Sequence, residues 1–192
     1  SRKLKPNYWI TTDNRIANPN KKEFNKKKFY NKYTHSLFTI KYLKNLNCEI
    51  LLPHNIEISS LENRIIYFNG HINKYSKNIY DITKARNLSF ITGITAISIA
   101  LYMGYKKIYK CGLDNDQWLT TKVKKNNQIL YKSSYYYERP KTYHPGRDIY
   151  EFLNKLNEIY KSYRKLKNSK IINLDKKSTI SYFSKNHKLD VY

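Results

Sequence analysis

Phe90–Asp114 reads FITGITAISIALYMGYKKIYKCGLD, and the fold turns on how these residues are parsed. The chain has only five glycines, and Gly93, Gly104 and Gly112 all fall here. Thr95–Met103 is Ala, Ile, Leu, Met and small polar residues, which predicts a helix buried on most sides. Gly93 lies just before it, Gly104 sits where a left-handed stop is expected, and Gly112 closes the short strand Lys106–Gly112. A glycine ahead of a helix lets backbone approach a ligand. The free N–H groups of the first turn, with the hydroxyls of Thr92 and Thr95, then favour an anion. Asp114 follows at the carboxyl edge of the strand.

The rest of the chain extends this helix–strand unit on both sides. Asn7–Thr12, Glu49–Leu52 and Arg64–Phe68 read as strands rich in β-formers, the second stopped by Pro53 and the third followed by the turn pair Asn69-Gly70. His35–Leu46 carries Leu37, Ile40 and Leu43 at helical spacing, and Asn20–Lys32 is basic and polar, an exposed loop or ragged helix. Arg147–Leu166 is an amphipathic helix with Ile149, Phe152, Leu153, Leu156, Ile159, Tyr160 and Tyr163 on one side. Lys170–Leu174 is a strand, and Ser178–Phe183 closes the pattern. Alternating strands and helices predict an α/β fold, a mostly parallel sheet flanked by helices, in one domain over 1–192. Ligands in such sheets bind beyond the carboxyl ends of the strands. Residues 119–143 are polar, basic and tyrosine-rich without a clear period, which predicts a lid-like loop.

The 192 residues carry a formal charge of +23, so polyanions are the partners to expect: nucleic acid, acidic headgroups, nucleotides or anionic glycans. Biased use of Lys, Asn, Ile and Tyr would also raise the charge with no functional pressure. Cys48 and Cys111 each lie in an apolar run, which predicts buried thiols in a reducing compartment. No apolar run approaches the ~20 residues that span a bilayer, and Ser1–Ile10 lacks the apolar core of a signal peptide. The dinucleotide fingerprint and the Walker loop are both absent.

Several motifs together resemble a family of bacterial glycosyltransferases: the CMP-sialic-acid-dependent sialyltransferases and the related motility-associated (Maf-type) flagellin glycosyltransferases. They are Thr92-Gly93, Gly104-Tyr105, Ile108-Tyr109 and Gly112-Leu113-Asp114. Tyr143–Leu156 is similar to the family's segment with a histidine ahead of a helix. Ile172–Phe183 is similar to its closing strand. Trp9–Asn14 is similar to a strand ending in an asparagine that faces the donor sugar. The likeness runs from Asn7 to Phe183. It implies a Rossmann-like sheet, with Asn14, Thr92, Gly93, Thr95, Asp114, Tyr137 and Tyr143 at the donor nucleotide and His144 as the general base. Imidazole suits that task because it titrates near working pH. Tyr135–Tyr137 and Tyr143 would supply hydroxyls to the phosphate, with Arg139, Lys141 and Arg147 as charge partners.

The chain departs from the family in two places. It begins at what would be the third strand, so it is expected to lack the N-terminal donor loop. Ser89 stands where the sialyltransferases carry an arginine, and Arg86 lies three residues earlier. Asp114-Asn115-Asp116 has the D-x-D form that holds a divalent ion against a diphosphate, whereas the family is generally metal-independent. The expectation is therefore a CMP-sugar donor, sialic acid or a related nonulosonic acid, no metal and no other cofactor. The acceptor is a glycan or lipid-linked sugar of lipopolysaccharide, O-antigen or capsule synthesis. The place is the cytoplasm, with peripheral contact at the anionic inner face of the inner membrane. A basic nucleic-acid-binding domain, its aromatics stacking bases, and an inactive Rossmann-like remnant are the alternatives.

Overall fold

A computed structural model describes residues 6–12, 48–54, 63–89, 91–113, 115–126, 129–132, 143–145, 149–168 and 170–186. For Gln117, Lys132 and 143–145 the description is of the backbone alone. The expected helix at His35–Leu46 and the basic segment Asn20–Lys32 lie outside the described residues, as does the tyrosine run Tyr135–Tyr137.

The described chain is mixed α/β, with small sheets and two helices. Strands β1 (Tyr8–Ile10), β2 (Glu49–Pro53) and β3 (Ile65–Phe68) form one parallel sheet in that order. Its register sets Trp9 beside Ile50, and Leu52 beside Tyr67. Helix α1 (Thr92–Tyr102) leads to β4 (Ile108–Lys110). A 3₁₀ turn (Gln117–Thr120) then precedes β5 (Lys122–Val123), β6 (Ile129–Lys132) and β7 (Tyr143–Pro145). Helix α2 (Ile149–Lys165), β8 (Ile171–Asn173) and β9 (Ser184–Lys185) follow. Strands β4, β8 and β9 make a second parallel sheet, with Ile108 beside Ile171 and Lys110 beside Asn173.

Three expectations need correction. The lid-like loop expected over 119–143 is not plain loop where it is described. β5 and β6 pair antiparallel, and β6 pairs antiparallel with β7. Ile129 supplies the physical reason: it is completely buried, so this end of the segment has an apolar residue to bury. The closing strand that the resemblance implies for Ile172–Phe183 is divided: β8 ends at Asn173, Ser178–Phe183 is irregular with bends, and β9 follows at Ser184–Lys185. Cys48 is buried, but Cys111 is exposed in the bend leaving β4.

Helix α1 begins three residues before its expected start, so Gly93 is its second residue rather than its approach. Its sequence is poor in strong helix formers, with three isoleucines and two threonines; packing decides its conformation. Ile94 and Ile97 join a core with Leu88, Ile159, Tyr163, Leu166, Ile171, Ile180 and Phe183. Ile99 joins another with Leu51, Phe68 and Ile82. Helix α2 is expected to bury one whole side, but only its C-terminal half does so: Ile159 and Tyr163 are buried, whereas Ile149 and Leu153 are about half exposed, at 49% and 53%.

Helix α1 ends in a Schellman motif. Tyr105 N–H donates to Ala100 O at 3.2 Å and Gly104 N–H to Leu101 O at 3.1 Å. Gly104 has φ +83, and a Cβ there would meet nothing within 4 Å. Gly104→Ala should therefore cost only the left-handed backbone strain, about 1–2 kcal/mol, read as a lower urea midpoint at unchanged slope.

Candidate functional site

The carboxyl ends of β1 and β4 meet the first turn of α1. Thr12, just past β1, and Thr92, the first residue of α1, share a hydrogen bond between their hydroxyls at 2.8 Å. Ile91 precedes the helix in extended conformation, and its side chain cannot cap. The first intrahelical bond is Thr95 N–H to Ile91 O at 2.9 Å. The N–H groups of Thr92, Gly93 and Ile94 thus have no intrahelical acceptor, and no acidic residue lies in the first turn. The dipole end and the bare donors face the same place.

Gly93 is glycine for a reason the sequence does not show. A Cβ built there would collide with the Leu113 side chain, in the segment that leaves β4. The close approach is to this leucine. Gly93→Val would have to displace the Leu113 side chain, so it would perturb packing as well as any ligand. Thr95 is 2% exposed, with its side chain inside the protein.

The β4 edge is held from below. Lys110 is 5% exposed, and its Nζ donates to Leu113 O at 2.6 Å and to Ser178 Oγ at 3.3 Å. Gly112 (φ 66) and Asn115 (φ 50) are both left-handed, and Tyr163 OH donates to Asn115 Oδ1 at 2.6 Å. Asn173, paired in register with Lys110, is completely buried. Its Oδ1 accepts from Asp175 N–H at 3.0 Å, whereas its Nδ2 has no hydrogen-bond partner among the described residues.

Among the other expected site residues, Asn14, Asp114 and Tyr137 lie outside the described residues. Tyr143 and His144 fall in β7, His144 in register with Tyr131. Tyr131 stacks on Phe152 of α2 at 5.6 Å. Asp116 is the described half of the D-x-D motif. Among the described residues, no three His, Cys, Asp or Glu side chains are grouped to hold a metal. No described helix is long and apolar enough to cross a membrane.

Two features escape sequence reasoning. His54 follows β2 and His71 follows β3 by three residues, and their rings lie 4.9 Å apart at the carboxyl edge of that sheet. Read singly, each is a surface histidine; only the parallel register of β2 and β3 joins them. The second is Arg86. It is 4% exposed and donates to Ser98 Oγ of α1 at 3.0 Å and to Asn69 O past β3 at 3.3 Å. Its guanidinium also lies 5.6 Å from the centre of the Phe68 ring. No carboxylate pairs with it among the described residues, and burial holds its pKa below the ordinary arginine value.

No protein-family model, curated protein or solved structure matches the chain.

Arg86 joins β3 to α1 through neutral acceptors, so the space filled by its stem should matter more than its charge or its donors. Arg86→Met should keep much of the stability, because it removes the desolvated charge while filling the space. Arg86→Ala should lose roughly 2–4 kcal/mol in urea unfolding through the vacated volume. Equal losses in the two variants would assign the effect to the hydrogen bonds instead.

Proposed function

We propose that the chain is a Rossmann-like glycosyltransferase. It would move sialic acid or a related nonulosonic acid from a CMP donor to a glycan acceptor of bacterial surface-polysaccharide synthesis. The observation that carries this reading is the Thr12–Thr92 hydrogen bond at 2.8 Å. It brings the end of a parallel strand to the uncapped first turn of a helix, where α/β sheets take anionic ligands. The donor phosphate would accept from the N–H groups of Thr92 and Gly93 and from the Thr92 hydroxyl, with Asn14, Asp114, Tyr137 and Tyr143 completing the site. Thr95 would support the turn from inside rather than touch the ligand, since its side chain is buried.

In the reaction, His144 takes the proton from the acceptor hydroxyl as its oxygen attacks the anomeric carbon. The bond from that carbon to the phosphate oxygen breaks, and CMP leaves carrying the electron pair. A monophosphate leaving group needs less neutralisation than a diphosphate, so the step runs without a metal ion. The formal charge of +23 would hold the enzyme at the anionic inner face of the inner membrane, beside lipid-linked acceptors.

Calorimetric titration with CMP tests the donor site. Saturable binding is expected, unchanged by EDTA and weakened about tenfold or more by Thr92→Val, which keeps the shape of the first turn. Wild-type protein that does not bind CMP sinks the reading.

The base is tested by turnover. His144→Ala should lower the rate by ~10²–10⁴-fold with CMP affinity little changed. Unchanged turnover would remove His144 from the chemistry.

A further inference from the structure

Helix α2 turns a second stripe away from its core contacts. Lys155, Glu158, Ser162 and Lys165 are spaced three, four and three residues apart, so they follow one face over about 15 Å of helix. This stripe faces the segment between β3 and α1, and the two border an open groove of about 210 Å³. The exposed Lys74 lines the opposite wall, where Leu88 and Ile72 add an apolar surface.

The charges in this groove are unbalanced and partly fixed in place. Three lysines, Lys74, Lys155 and Lys165, line it with one acidic residue, Glu158. Glu158 is itself paired with Lys161 at 3.7 Å. The Lys165 ammonium donates to Asn87 Oδ1 at 2.6 Å and Asn87 O at 3.1 Å. Its position is thereby set before any ligand arrives, which lowers the ordering cost of binding. The polar groups on the floor are already spent: Ser162 Oγ accepts from Ser89 N–H at 2.7 Å and donates to Glu158 O at 2.8 Å. What the groove still offers is positive charge beside an apolar wall. Its volume is below the ~300–1,000 Å³ typical of drug-sized ligands, so a single sugar ring with one charged group suits it better than a whole nucleotide.

We infer that this groove is the subsite for an anionic sugar residue of the acceptor, bearing a phosphate or a carboxylate. The word acceptor rests on the glycosyltransferase reading; the groove itself rests on its geometry and charge. The segment that lines it, ending in Leu88 and Ser89, runs directly into the first turn of α1. Only two residues, Phe90 and Ile91, would thus separate the donor and acceptor subsites in the chain.

Glucose 6-phosphate, glucuronate and glucose, titrated separately into the protein, test this. At least one of the two anionic sugars should bind saturably and about tenfold or more tighter than glucose; the tighter one identifies the anion. The double variant Lys74→Ala, Lys155→Ala should weaken that binding about tenfold or more. The double variant Lys176→Ala, Lys177→Ala removes the same charge from an exposed turn elsewhere and should leave it unchanged. Three results overturn the proposal: no saturable binding, glucose binding as tightly as the anionic sugars, or equal losses in both double variants, which would mean only the general field of the chain. CMP binding is measured on the same samples. Its absence beside intact sugar-phosphate binding would sink the donor reading and leave the groove standing.

Discussion

Helix α1 is packed on two sides, and that double burial organises the described chain. Ile94 and Ile97 face one core and Ile99 the other, so no side of the helix is free to carry charge along its length. This explains a sequence that would make a poor isolated helix. Its β-branched residues disfavour helix by themselves, but they fill the two cores. The polar residues it does contain are answered internally. Ser98 Oγ donates to Ile79 O at 3.0 Å and accepts from Arg86. The same helix leaves the N–H groups of its first turn without intrahelical acceptors and stops abruptly at Gly104. One element therefore sets the packing, the polar turn at its beginning and the entry into β4.

The loop between β3 and α1 gains its order from its own side chains. Asn78 accepts from Asp81 N–H at 3.0 Å and donates to Asp81 O at 2.9 Å and Ala85 O at 3.3 Å. Asp81 in turn accepts from the Thr83 hydroxyl at 2.6 Å, and the Thr83 side chain and N–H together hold its carboxyl below the usual pKa range. A segment without regular structure can in this way present Arg86 inward and Lys74 outward.

Much of this was legible from local pattern. Tyr8–Ile10, Glu49–Pro53, Ile65–Phe68, Ile108–Lys110 and Ile171–Asn173 are β-branched or aromatic runs with clear stops, and α2 announces itself by period. Gly104 was readable because a helix end demands a left-handed residue. What pattern does not carry is contact between distant segments. Gly93 answers to Leu113, twenty residues on, and no property of the TG pair reveals that. His54 and His71 become neighbours only through strand register. The groove along α2 depends on what covers its polar side, whereas helical period reports only the apolar side. The burial of that apolar side was overestimated at Ile149 and Leu153 for the same reason. Cys111 sits in an apolar run but turns outward, because the chain bends at Gly112.

The pairings of the parallel sheets also bear on how the chain finds its structure. Tyr8 lies beside Glu49, and Ile108 beside Ile171. Each ladder closes a long loop before its first contact is rewarded, and such closures slow folding more than they weaken the final state. The backbone contacts of the β5–β6 hairpin and of helix α2 are local and can form early, whereas α1 needs the two cores it fills. The parallel ladders are then the late events, and until they form the apolar residues Ile50, Leu52 and Ile171 stay in water. In a chain of this charge, mutual repulsion keeps those exposed intermediates apart, so the lysine-rich surface protects folding as well as attracting anions.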